Sequence, residues 1–123
     1  MSEGLIIDDN RQTADALKQM LAILGFKARP AYGSSAAMAV LGTGFIPQFI
    51  CLDINMPGVD GTEVLAYLRR EPGLKRIPVI VITSDDQPET RDKVIELGAS
   101  GMIIKPATID SLEDSLKKAE LLA

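Results

Sequence analysis

The sequence predicts a doubly wound α/β fold, a five-stranded parallel sheet of order 2-1-3-4-5 with helices on both faces. Three observations predict it. Short apolar runs alternate with helix-period segments along the 123 residues. The central run, Phe49-Ile50-Cys51-Leu52, delivers a single carboxylate, Asp53, and the chain then turns at Pro57-Gly58. Two more acids, a hydroxyl and a lysine stand just past other apolar runs, where open α/β sheets gather their chemistry.

Each element has its own signal. Leu5-Ile6-Ile7 is a short apolar strand ending in Asp8-Asp9-Asn10. From Thr13 to Leu24, Leu17, Met20, Leu21 and Leu24 fall at i, i+3, i+4 and i+7, and Gly25 stands where helices end. Lys27 to Ala31 reads as a weak second strand, and Ser34 or Ser35 is the expected cap of an Ala-rich helix running to Leu41. Gly42-Thr43-Gly44 and Pro47 lead into the third strand, Phe49 to Leu52. Asp60-Gly61-Thr62-Glu63 resembles a capping box that opens a helix through Val64, Leu65 and Leu68 to near Arg70. Pro78 to Thr83 is a β-branched run of the kind buried on both faces of a parallel sheet. Pro88 suits the first turn of the next helix, whose apolar face is thin: Val94, Ile95 and Leu97. Gly101 to Ile104 is the fifth strand, and Thr108 caps a last helix with Ile109, Leu112, Leu116 and Ala119 on one face. There is no repeat or linker, so residues 1–123 read as one domain.

Composition narrows the function. Lys and Arg total 13 against 17 Asp and Glu, a net charge of −4, which argues against nucleic-acid binding. Apolar runs such as Val79 to Ile82 are too short to span a bilayer, and Met1 to Asn10 lacks the pattern of a secretory signal. One cysteine, Cys51, excludes an internal disulfide, so a cytoplasmic setting is expected; its strand position makes it a small core residue. With no histidine, Ser-His, Cys-His and His-ligated zinc chemistry is excluded.

In a parallel sheet all strand C-termini share one edge, so Asp8, Asp9, Asp53, Thr83, Ser84 and Lys105 share a rim. Strands one and three are neighbours in the order 2-1-3-4-5, which crowds the three acids together. Carboxylates at close range repel one another, and a divalent cation relieves this. Oxygen-only donors beside phosphate suit Mg²⁺. Add the ammonium of Lys105 and the hydroxyl of Thr83, and the set is that of a phosphoryl-transfer site with a carboxylate nucleophile.

These residues closely resemble the receiver domain of bacterial two-component response regulators, especially the stand-alone chemotaxis type, a flavodoxin-like fold. The motifs are Asp8-Asp9, Asp53 with Asn55-Met56-Pro57-Gly58 and Gly61, Thr83-Ser84, and Lys105-Pro106. The resemblance implies that Asp53 accepts a phosphoryl group from a phosphohistidine on a sensor histidine kinase or histidine phosphotransfer protein. It implies that Asp9, Asp53 and the backbone carbonyl of Asn55 bind Mg²⁺, with Asp8 acting mostly through water. Lys105 would pair with the phosphoryl group, Thr83 would move to bond it, and Lys105-Pro106 would be cis. Asn55 and Asp85 stand where the family modulates hydrolysis of the acyl phosphate, while Asp85 and Asp86 read by themselves as solvent-facing acids near a helix start. The resemblance further implies a downstream protein target or output domain and a monomer, or a weak dimer on phosphorylation.

One position departs from the pattern. Three residues before the lysine the family usually has Tyr or Phe as a switch side chain, and here it is Met102. The expectation is that the face formed by the fourth helix, fifth strand and fifth helix still rearranges, through the loop after the fourth strand. Two alternatives stand beside the receiver reading. A haloacid-dehalogenase-type phosphatase would want a second Asp where Asn55 stands, and a cap insertion for which the chain has no room. A degenerate receiver used only for docking would not need Asp8, Asp9, Asp53 and Lys105 together. An FMN-binding flavodoxin is disfavoured because Asp8-Asp9-Asn10 would repel its phosphate.

Overall fold

The computed structural model describes residues 3–123. The strands are β1 (Gly4–Ile7), β2 (Ala28–Ala31), β3 (Ile50–Leu52), β4 (Asn55–Met56), β5 (Val59–Asp60), β6 (Val79–Thr83) and β7 (Gly101–Ile104). The helices are α1 (Arg11–Ile23), α2 (Ser34–Gly42), α3 (Gly61–Arg70), α4 (Pro88–Glu96) and α5 (Ile109–Lys118). The five long strands form one parallel sheet, β2-β1-β3-β6-β7. Counted among themselves they lie in the expected 2-1-3-4-5 order. The numbering departs only because β4 and β5 form a separate antiparallel ribbon, which the sequence reading had as a plain turn. Gly58 there takes φ 72°, a conformation open to glycine at little cost.

The strict alternation of the strands sorts the core into two layers. Leu5, Ile7, Ile50, Leu52, Val79 and Val81 point to one face, under Ala37, Leu41, Val64, Leu65, Leu68 and Val94 of α2, α3 and α4. Ile6, Cys51, Ile80 and Ile82 point to the other, under Ala14, Leu17, Leu21, Leu112 and Leu116 of α1 and α5. Sheet residues covered on both sides explain why β6 reads as an unbroken apolar run. Cys51 is buried in this layer, which pushes its thiol up to about 12 and leaves it unreactive.

Several helix starts differ from expectation. Asn10 caps α1 by accepting from Thr13 N–H, so the helix begins at Arg11. Neither serine caps α2: its N-cap is Gly33, at φ 121°, and Ser34 is already helical. Asp60 caps α3, but with Thr62 and not Glu63: one Asp60 oxygen accepts both the Thr62 N–H and the Thr62 hydroxyl. Thr108 makes a full capping box on α5 with Ser111. The packing face of α4 is thinner than expected: Val94 is buried, but Ile95 is 53% exposed. In α5, Leu112 and Leu116 are buried while Ile109 is exposed.

Candidate functional site

The backbone ladder brings the strand ends together. Ile7 pairs with Leu52, and Asp53 N–H donates to Ile7 C=O at 2.9 Å, so Asp8 and Asp53 emerge side by side. Lys105 N–H donates to Thr83 C=O at 2.8 Å, which seats the lysine beside the threonine. Among the described residues, the buried polar side chains are those of Asp8, Asp53 and Thr83, at 1%, 5% and 0% exposure. Polar groups so deep need partners, and each has them.

Lys105 Nζ bridges the two buried acids, 3.1 Å from Asp8 Oδ2 and 3.2 Å from Asp53 Oδ2. The other oxygen of each acid accepts a local backbone N–H, Asn10 to Asp8 and Asn55 to Asp53, both at 2.9 Å. Asp9 is exposed, yet one oxygen from each of Asp8, Asp9 and Asp53 lies within 4.8 Å of the others. Burial raises the Asp8 pKa, and the hydrogen bonds from Asn10 and Lys105 offset this only in part. For Lys105, burial works to lower the pKa, but the bond to Asp8 and the charges of Asp53 and Asp8 outweigh it, so its pKa lies above the ordinary lysine value. Three carboxylates against one ammonium leave two negative charges uncompensated, a donor set that could hold a divalent metal ion.

A second network surrounds Thr83. Its Oγ1 accepts from Asn55 Nδ2 at 2.9 Å and from Asp85 N–H at 3.1 Å. Asp85 stands near the start of α4 as expected, but it does more than face solvent. The residue is partly exposed, but its carboxylate is engaged, accepting from Gln87 N–H at 3.0 Å and from the Thr90 hydroxyl at 2.6 Å. The Thr90 bond, then the Gln87 bond, hold its pKa below the usual carboxylate range. Ser84 is exposed, Met102 is half-buried against the layer under α2 to α4, and the Lys105-Pro106 peptide bond is cis. The Asn55–Thr83 and Asp85–Thr90 bonds escaped the sequence reading; a polar residue two past each key strand end was the only trace of them. A mainly apolar cleft of about 440 Å³ runs between α1 and Pro106-Ala107. Lys105 lines it, but Asp8, Asp9 and Asp53 do not.

Arrangement and ancestry agree. Residues 5–117 match the family described as "Response regulator receiver domain". The chain is 33% identical over 115 residues to chemotaxis protein CheY-3 of Vibrio cholerae, covering 93% of this chain and 88% of that protein. It is 32% identical over 118 residues to chemotaxis protein CheY of Pseudomonas aeruginosa, covering 93% and 92%. Among solved structures, the signal receiver domain of a signal transduction histidine kinase from Syntrophus aciditrophicus superposes with TM-score 0.84 at 29% identity, covering 97% of this chain and 89% of that one. CheY4 of Vibrio cholerae superposes with TM-score 0.86 at 24% identity, covering 97% and 98%, and supports the fold. With its site at the strand ends of a five-stranded parallel sheet, the chain belongs to the response regulator receiver domain family, as a CheY-like signalling protein.

Proposed function

We propose that residues 1–123 work as one phospho-accepting receiver unit, in which Asp53 takes a phosphoryl group from a phosphohistidine in a Mg²⁺-dependent reaction. The observation that carries this reading is Lys105 Nζ bridging Asp8 and Asp53 beside a third carboxylate, with the Thr83 hydroxyl at the next strand end. A carboxylate oxygen of Asp53 attacks phosphorus, the P–N bond breaks, and the departing histidine nitrogen keeps the electron pair and takes up a proton. Lys105, already against Asp53, neutralises charge on the transferred group. The buried Thr83 hydroxyl donates to a phosphoryl oxygen. Asp8, Asp9, Asp53 and the Asn55 carbonyl would hold Mg²⁺, which supplies charge neutralisation and orientation for the phosphoryl oxygens. Hydrolysis reverses the state: water attacks phosphorus, the Asp53 carboxylate leaves, and phosphate is released. The chain thereby catalyses its own phosphorylation and dephosphorylation.

The donor is a sensor histidine kinase or histidine phosphotransfer protein, and the reader is a downstream protein or output domain. Exposed Ile95, Ile104 and Ile109 give the face of α4, β7 and α5 an apolar surface for that reader. Ser84 and Asp85 modulate the switch, and Met102 fills the position of the family's aromatic by packing against the core. The setting is the cytoplasm, and the unit is a monomer or a weak dimer when phosphorylated. Among the described residues no helix is long and apolar enough to cross a membrane. Incubation with Mg²⁺ and acetyl phosphate, followed by intact mass, tests the reading. One phosphoryl adduct is expected, lost with Asp53→Asn and with a chelator. An adduct that survives both controls would refute it.

A further inference from the structure

Five hydrogen bonds run in series from the Asp53 loop to the first turns of α4. Asn55 N–H donates to Asp53 Oδ1, and Asn55 Nδ2 donates to Thr83 Oγ1. Asp85 N–H donates to the same Thr83 oxygen, and the Asp85 carboxylate accepts from Gln87 N–H and from Thr90 Oγ1. A hydroxyl oxygen has two lone pairs, so Thr83 is full as an acceptor and keeps only its own proton to give. If Thr83 turns about χ1 to donate that proton to a group on Asp53, its oxygen leaves both donors. The Asp85 N–H then needs another partner, and the loop between β6 and α4 must move to supply one.

That loop is tied to α4. Both oxygens of Asp85 are engaged by residues 87 and 90, and at 2.6 Å the bond from Thr90 is the shorter of the two. The helix has little to resist a pull, since Val94 is its one buried residue and Gln87 gives it no side-chain cap. Met102 has no such link: its half-buried thioether packs against the core by contact alone. We propose that Thr90 is a positioning residue which, through Asp85, couples Thr83 to α4, and that this chain of hydrogen bonds carries the phosphorylation signal that an aromatic at Met102 would otherwise carry. The proposal rests on the receiver reading above. The competing account is that Asp85 and Thr90 only cap α4, in which case their loss changes stability but not the response to phosphorylation.

The test follows amide resonances of residues 91–97 with Mg²⁺ and acetyl phosphate, with intact mass read on the same samples. Thr90→Val removes the hydroxyl at nearly constant volume, and Thr90→Ser retains it. In Thr90→Val the adduct is expected to persist while the phosphorylation-dependent shifts fall by roughly half or more. Thr90→Ser restores them, Asp85→Asn weakens them, and Met102→Ala leaves them near wild type. Wild-type shifts in Thr90→Val would overturn the proposal, as would equal loss in Thr90→Ser or loss in Met102→Ala. Absence of any adduct on the wild-type chain would instead overturn the receiver reading, and this proposal with it.

Discussion

Burial of Asp8 favours its protonated form, and the hydrogen bonds from Asn10 and Lys105 offset this only in part. Its folded pKa is raised, so the stability it contributes is complete below the unfolded value, near 3.9, and is lost as pH rises through the folded one. Asp8→Asn removes that loss. At pH 7 in chelator the variant should melt at a higher temperature than the wild type, and the difference should shrink toward pH 4. Lys105→Met acts in the opposite direction, leaving Asp8 and Asp53 without their shared cation; urea unfolding should show a loss of roughly 1–3 kcal/mol. Adding Asp8→Asn to Lys105→Met should recover part of it, since the two residues share one network. These acids and this lysine were legible in the sequence because each directly follows an apolar run, and parallel strands share an edge. The bonds of Asn55 to Thr83 and of Thr90 to Asp85 were not, because they depend on side-chain rotamers in loops that no periodicity describes.

Among the elements, α3 is held by two devices. A Cβ on Gly61 would lie 2.2 Å from the Cα of Ile54, so α3 can start this close to the Asp53 loop only with glycine there. Gly61→Ala should lower stability by roughly 1–3 kcal/mol in a thermal or urea melt, through the backbone shift it forces. At its other end, Arg69 donates to the carbonyls of Gly98, Ile77 and Lys75, at 2.8 Å (Nη2) and 3.0 Å (Nε), 2.9 Å and 3.2 Å. One planar guanidinium spans three loop carbonyls, which a point-charge ammonium cannot do. Arg69→Lys should therefore lose roughly 1–2 kcal/mol despite keeping its charge, again read by urea unfolding. Helix existence was legible from the 3.6-residue period, but start sites were less so. Gly33 displaced the serines at α2, and Thr62 took the place meant for Glu63 at Asp60. Both outcomes are decided by local backbone angles. The β4–β5 ribbon, two residues to a strand, is too short to leave a periodic signal.

At the scale of the whole molecule, two core layers on one sheet follow from simple alternation, with Leu5 and Ile7 against α2 to α4 and Ile6 against α1 and α5. That regularity makes the fold class and sheet order legible in the sequence. It leaves a sheet buried on both faces and one helix, α4, with a single buried residue beside it. In the proposed function the carboxylate of Asp53 is the phosphoryl acceptor. The direct measurement is reduction with borohydride after treatment with Mg²⁺ and acetyl phosphate, which converts an aspartyl phosphate to homoserine, followed by peptide mass mapping. Homoserine at residue 53 and nowhere else is the expected result. Homoserine at Asp8 or Asp9, or a stable phosphate ester on Thr83 or Ser84 with Asp53 unmodified, would contradict the account.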